Sequence, residues 1–324
     1  MFMISGCEDA ESPSGEGTQG EWKLVHENQN DIYYHGLHFI DQSDGWVVGE
    51  SGRLLHTNDG GNSWNIQESG TNVSLKCVLF ANAQMGWIGG ADNSIGMTTN
   101  GGVTWKWQQP VGESRRMFMA MSFVNGNMGW VVDNYGGILH TEDAGMTWTP
   151  QISGTTWAIT SVQFLDAAEG WATATNRVVL HTTDGGNNWM RNTLDAINYG
   201  NGIVAIYNDI FFCDGTNGWI ATNVMASSIG DPMASVVRTS DTGRTWNCQA
   251  TPEGEAINCL QFVNENYGWA GSHGGILLTT NGGRTWDYQV RRSDGDPMVD
   301  IFFVDDSHGW ALTFQGRVYS WHAL

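Results

Sequence analysis

The sequence predicts an all-β fold, a seven-bladed β-propeller of four-stranded antiparallel blades. Three observations predict it. An eight-residue segment running from Phe to Gly-Trp occurs seven times, at 39–46, 80–87, 123–130, 164–171, 212–219, 262–269 and 303–310. Its tryptophans, at 46, 87, 130, 171, 219, 269 and 310, lie 41 to 50 residues apart, the spacing of one blade per repeat. A polar motif ending in its own tryptophan intervenes six times, from TNDGGNSW at 57–64 to TTNGGRTW at 279–286.

Each repeat reads in the same order. Strand A is an alternating run ending at the Phe, as in CVLF and SVQF. Strand B begins at Gly-Trp, as in WVVGE, and a tight turn leads to strand C, as in RLLHT. The polar turn follows, and strand D starts at its Trp. The seventh repeat stops after strand C, at RVYSWHAL, while EWKLVHENQ near the other end resembles the strand D segments SWNIQES and TWDYQVR. Residues 21–26 are therefore expected to supply the missing outer strand of blade seven and close the ring, with Trp22 mimicking a repeat tryptophan. The expected organisation is one propeller over 21–324 behind a flexible tail, 1–20.

Bulk composition narrows the function. Acids outnumber bases 34 to 14, a formal charge of −20, which argues against nucleic acid, since phosphate binding needs a basic footprint. No run approaches the ~18 apolar residues of a membrane span. The five cysteines form no CxxC and no zinc-finger spacing, so no structural metal is expected. No nucleotide loop, nucleophile elbow or cofactor motif occurs. The segment ISGC and the polar tether after it resemble a bacterial lipoprotein lipobox, which implies export to the periplasm or cell surface and a lipid anchor at Cys7. Only six residues precede Cys7, whereas a full secretory signal needs a longer apolar core.

The polar turns carry Asp59, Asn100, Asp143, Asp184, Asp241 and Asn281 at one position. Asn keeps the acceptor oxygen and loses the charge. A general base or hard-metal ligand would suffer from that exchange; a side chain accepting backbone N–H groups would not. These six are read as structural. His56, His140 and His181 occupy one strand C position in three different blades and are also read as structural, not as a metal trio.

The turn S/T-x-D-x-G-x-T-W is the Asp-box, the bacterial neuraminidase repeat. Together with the Phe-to-Gly-Trp segment and the G-x-[IL]-L-H-T-like strand, it resembles the photosystem II stability/assembly factor family from about residue 21 onward. The resemblance implies a non-enzymatic assembly propeller, lumenal in photosynthetic members and exported elsewhere. No catalytic residue is expected, and the partner implied is protein.

In such a ring the D–A and B–C loops share one face, here the top, and the A–B and C–D loops the other. Site candidates are the top-face residues outside the repeat pattern. Trp157 and Tyr199 lie in D–A loops and suit a protein partner or a sugar ring. Arg115, Arg116, Arg291 and Arg292 form two doublets in D–A loops. A GDPM sequence at 230–233 and again at 295–298 contributes Asp231 and Asp296. Asp209 and Asp300 are the two acids at a strand A position expected in the channel, where the plain reading is a solvated carboxylate. Two alternatives accompany the scaffold reading. A sialidase-like glycoside hydrolase could use Asp209 and Asp300, although no FRIP-like start and no triad-like arginine recurrence are present. A glycan binder would use Trp157 and Tyr199.

Overall fold

A computed structural model describes residues 20–28, 32–110, 115–194, 204–225 and 234–323. Cys7, Tyr199 and Asp231 lie outside the described residues. Seven four-stranded antiparallel sheets follow one another around a ring. Blade one is typical, with strands Tyr34–Phe39, Gly45–Gly49, Leu54–Thr57 and Asn65–Gln67 in that order. Strand B is buried throughout in five of the blades and in a sixth from Gly309 onward, whereas the strand D segments described keep exposed positions. Strand B has sheet on both sides and blades on both faces; strand D is the outer edge.

The repeat aromatics explain why the blades pack as they do. In every blade the Gly-Trp tryptophan stacks on the strand A Phe of the next blade, at centroid distances from 3.4 to 4.8 Å. That Phe in turn meets the Asp-box Trp of its own blade edge-on, at 5.7 to 6.2 Å. Both arrangements are favoured by the ring quadrupoles. The indole N–H also reaches across: Trp87, Trp130, Trp219 and Trp310 donate to the carbonyls of Ala144, Gly185, Gly282 and Gly60 in the following blade's Asp-box, at 2.8–3.1 Å.

The ring closes as the sequence predicts. Gly20–His26 pairs antiparallel with Val318–Ala323, Gly20 opposite Ala323, and forms the outer strand of blade seven. Trp22 takes the Asp-box Trp place, edge-on to Phe303 at 5.7 Å and 87°. Polar contacts seal the seam on the top face. Arg317 donates to Glu27, Asp294 and Asp296, at 2.8, 3.0 and 2.8 Å. Arg292 binds Asp294 and Asp296 and also donates to the Tyr319 hydroxyl.

The A strands depart from the plain alternation expected of them. All seven A strands carry a register shift at the same place, from Tyr34/Gly36 round to Met298/Asp300. The extra residue of a β-bulge re-aims its side chain. Here three such residues, Thr160, Asn208 and Asn258, donate to the carbonyls of Tyr207, Ile257 and Met298 in the next A strand.

Candidate functional site

The Asp-boxes behave as the sequence implies. Asp184 accepts from the Thr182 hydroxyl at 2.9 Å, the Asn188 backbone N–H at 2.8 Å and the Asn188 amide at 2.7 Å. Asp59, Asp143 and Asp241 repeat the pattern with Ser63, Thr147 and Thr245. At Asn100 and Asn281 the oxygen still takes the backbone N–H, and the amide donates to the hydroxyl of Thr104 or Thr285. A hydroxyl can donate or accept, so the turn tolerates either residue. The two following positions are left-handed, Gly185 at φ 70° and Gly186 at φ 85°. Ala144 and Thr242 hold the first of these at φ 62° and 58°, where a Cβ is disfavoured. His56, His140 and His181 each stack on the Gly-Trp tryptophan of their own blade, Trp46, Trp130 and Trp171. Among the described residues no three His, Cys, Asp or Glu groups are placed to hold a metal ion.

The channel carboxylates are not free solvated groups. Asp209 accepts from the Ser161 hydroxyl of blade four, its neighbour Ile210 N–H and Leu260 N–H of blade six. Asp300 accepts from Ile301 N–H and, across the seam, Leu37 N–H at 2.8 Å. Each fastens adjacent blades. Burial pushes both carboxyls up, Asp300 to about 7 with the Asp209 charge adding to the effect. A raised folded-state pKa means the native protein holds the proton more tightly than the unfolded chain. The stability this gives is complete below the unfolded value of about 4 and is lost as pH rises towards 7. Asp300→Asn cannot titrate. The melting temperature of the wild type relative to that of Asp300→Asn is therefore expected to fall between pH 4 and 7 and level off above. A difference independent of pH would refute it. The Asp-box carboxylates act oppositely: side-chain donors Ser63, Thr147, Asn188 and Thr245 hold them below the usual range, so their contribution fades on acidification.

The top-face arginines divide. Arg292 and Asp296 are spent in the seam, with side chains 5% and 0% exposed. Arg291 lies over its own strand's Tyr288 ring at 4.0 Å. Arg115 is exposed. Arg116 bonds through Nη1 to Asp133 at 2.6 Å. Asp133, itself buried, also accepts from Tyr135 and Gly137 N–H and so holds the B–C turn of blade three.

Arg116 and Trp157 come together in one groove of about 580 Å³ on the upper outer rim between blades three and four. Its other main residues are not among the candidates read from the sequence. Tyr135 comes from the B–C turn of blade three, Ile152 follows the outer strand Thr149–Gln151, and Arg191 lies in the outer strand Met190–Thr193 of blade four. Ile152, Tyr135 and Trp157 are 86, 57 and 46% exposed, an unusual concentration of apolar surface for one rim. A signal for Arg191 exists: two residues after the Asp-box Trp, the other blades carry Ile66, Trp107, Pro150, Cys248 and Tyr288. The charged residue breaks that row.

Known proteins resemble this ring. The family model described as photosynthesis system II assembly factor YCF48 matches residues 14–106, 67–153, 117–249 and 151–295. No curated protein matches the chain. Among solved structures, YCF48 bound to a D1 peptide is 18% identical, with a TM-score of 0.75 over 94% of this chain and 97% of that one. YCF48 from Cyanidioschyzon merolae is 20% identical, with a TM-score of 0.70 over 93% and 98%. Virginiamycin B lyase from Staphylococcus aureus, crystallised with quinupristin, is 12% identical, with a TM-score of 0.73 over 94% and 100%. At such identities a structural likeness shows the fold alone.

Proposed function

The chain belongs to the photosynthesis system II assembly factor YCF48 family, and on that premise we propose that it is a non-enzymatic propeller that binds protein partners through its top face at the bacterial envelope. The observation that carries this reading is the apolar groove of Tyr135, Ile152 and Trp157, set against recurring carboxylates consumed in turns and blade fasteners. Aromatic anchors in a concave, water-excluding setting dominate binding energy at protein interfaces. The similar YCF48 structure that holds a D1 peptide supports a peptide-like ligand here as well. A lipid anchor at Cys7 agrees with the topology. The outer strand of blade seven starts at Gly20 beside Ala323, on the Asp-box face, so the groove would point away from the anchoring surface.

Site-specific photo-crosslinking in cells tests this. A photoreactive residue at position 152 is expected to capture defined protein partners, and one at Val103, 68% exposed on the Asp-box face, is not. Equal capture at both positions, or none at 152, overturns the assignment of the face. In the same cells Cys7→Ala is expected to move the protein from the membrane to the soluble fraction; retention overturns the anchor.

A further inference from the structure

We infer that the groove between blades three and four selects a short protein segment presenting one bulky apolar side chain next to one carboxylate. This rests on the reading that the top face binds protein, and it names the chemistry that face selects.

Three observations carry it. The first is shape and surface. A volume of about 580 Å³ lies within the ~300–1,000 Å³ typical of sites that enclose a small ligand, enough for a few residues and too small for a folded element. Its accessible walls are Ile152, Tyr135 and Trp157, which suit an aliphatic or aromatic side chain. The second is charge. Among the ionisable residues lining the groove, Arg116 is matched by Asp133 at 2.6 Å, and Arg191 is exposed with no ion pair among the described residues. The lining thus carries a net charge of about +1 in a chain of −20. A carboxylate meets attraction here and repulsion over much of the rest of the surface. A guanidinium favours a carboxylate through paired N–H donors.

The third observation sets a peptide against a sugar. The Gln151, Ser153 and Thr155 side chains of the lining are already committed within the fold. The Ser153 hydroxyl donates to Gly136 O and is shared with Thr155 O; Thr155 Oγ1 accepts from Trp157 N–H; Gln151 Nε2 donates to Gly185 O. Sugar recognition needs convergent free donors and acceptors for the ring hydroxyls. An apolar side chain needs none, and a carboxylate needs only Arg191 and the remaining N–H groups of Arg116.

The test uses the full chain and N-acetylated, C-amidated, fluorescein-labelled pentapeptides that pair Phe or Leu with Glu at one- or two-residue spacing. Controls replace Glu by Gln, or the apolar residue by Ser. Anisotropy titration is expected to show saturable binding of the apolar–acidic peptides. Affinity should fall at least tenfold with the Gln controls, with Arg191→Glu and with Trp157→Ala, and stay unchanged with Val103→Ala. Arg191 is exposed, so its variant keeps the question open to test even if Trp157→Ala melts early. Equal binding of the Gln peptides, indifference to Arg191→Glu, or binding of a glycan array that depends on Trp157 would overturn the inference. If crosslinking at 152 captures partners while these peptides do not bind, the carboxylate chemistry is wrong and the protein-binding face stands. If both fail, the face is wrong too.

Discussion

Replacing Asp296 by alanine is expected to destabilise the ring by about 3 kcal/mol, the low end of the cost of removing one partner from a buried charge network. Its carboxylate is fully enclosed and takes Arg292 at 3.1 Å, Arg317 at 2.8 Å and the Gln315 N–H at 2.8 Å. Without it Arg292, whose side chain is 5% exposed, keeps Asp294 but loses the partner buried beside it. Asp294 is the internal comparison. It bonds the same two arginines but is 46% exposed, so Asp294→Ala should cost under about 1 kcal/mol. Urea denaturation at neutral pH gives both values. Equal losses would mean that burial does not set the strength of this cluster.

Trp310→Ala should be at least as damaging, about 3–5 kcal/mol for deleting a buried Trp. Its ring lies 3.6 Å from Phe39 at an interplanar angle of 4°, joining blade seven to blade one. Its N–H binds Gly60 O at 2.8 Å. Trp269 makes the equivalent stack on Phe303 at 3.9 Å, but blade seven has no Asp-box. The Trp269 indole nitrogen has no acceptor among the described residues, and neither do those of Trp46 and Trp171, which do face an Asp-box in the following blade. Trp269→Ala should therefore be milder by about 1 kcal/mol, the net worth of one hydrogen bond. A larger loss at Trp269 than at Trp310 would contradict this role for the Asp-box carbonyls.

Much of this architecture was legible because it is periodic. Seven Phe and seven Trp at fixed offsets state the blade count, and Trp22 could be placed by likeness to Trp64 and Trp286. The Asn-for-Asp exchanges at 100 and 281 told the role of the turn before its hydrogen bonds were known. Side-chain pairing between loops has no such periodicity. Nothing local to Arg116 indicates Asp133, and nothing local to Asp296 indicates Arg317, so both looked like free surface charge. The bulges in the A strands break the plain alternation expected of them: the buried side chains step by three across the bulge from Leu75 to Val78 and from Met298 to Ile301, before resuming a step of two. Asp209 and Asp300 lie just after these bulges and act as fasteners. The groove was half legible. Trp157 stood out as an unpatterned tryptophan, while Arg191 stands out only when one column of the repeat is compared across blades.

The strand that closes the ring is made first and satisfied last. Gly20 waits for Ala323, and at about 5–20 residues per second the intervening chain takes roughly 15–60 s to appear. During that time the segment around Trp22 and Leu24 is an unpaired edge, open to strands of other molecules. Until blade seven is made, that one edge is the place where the ring is open to mispairing.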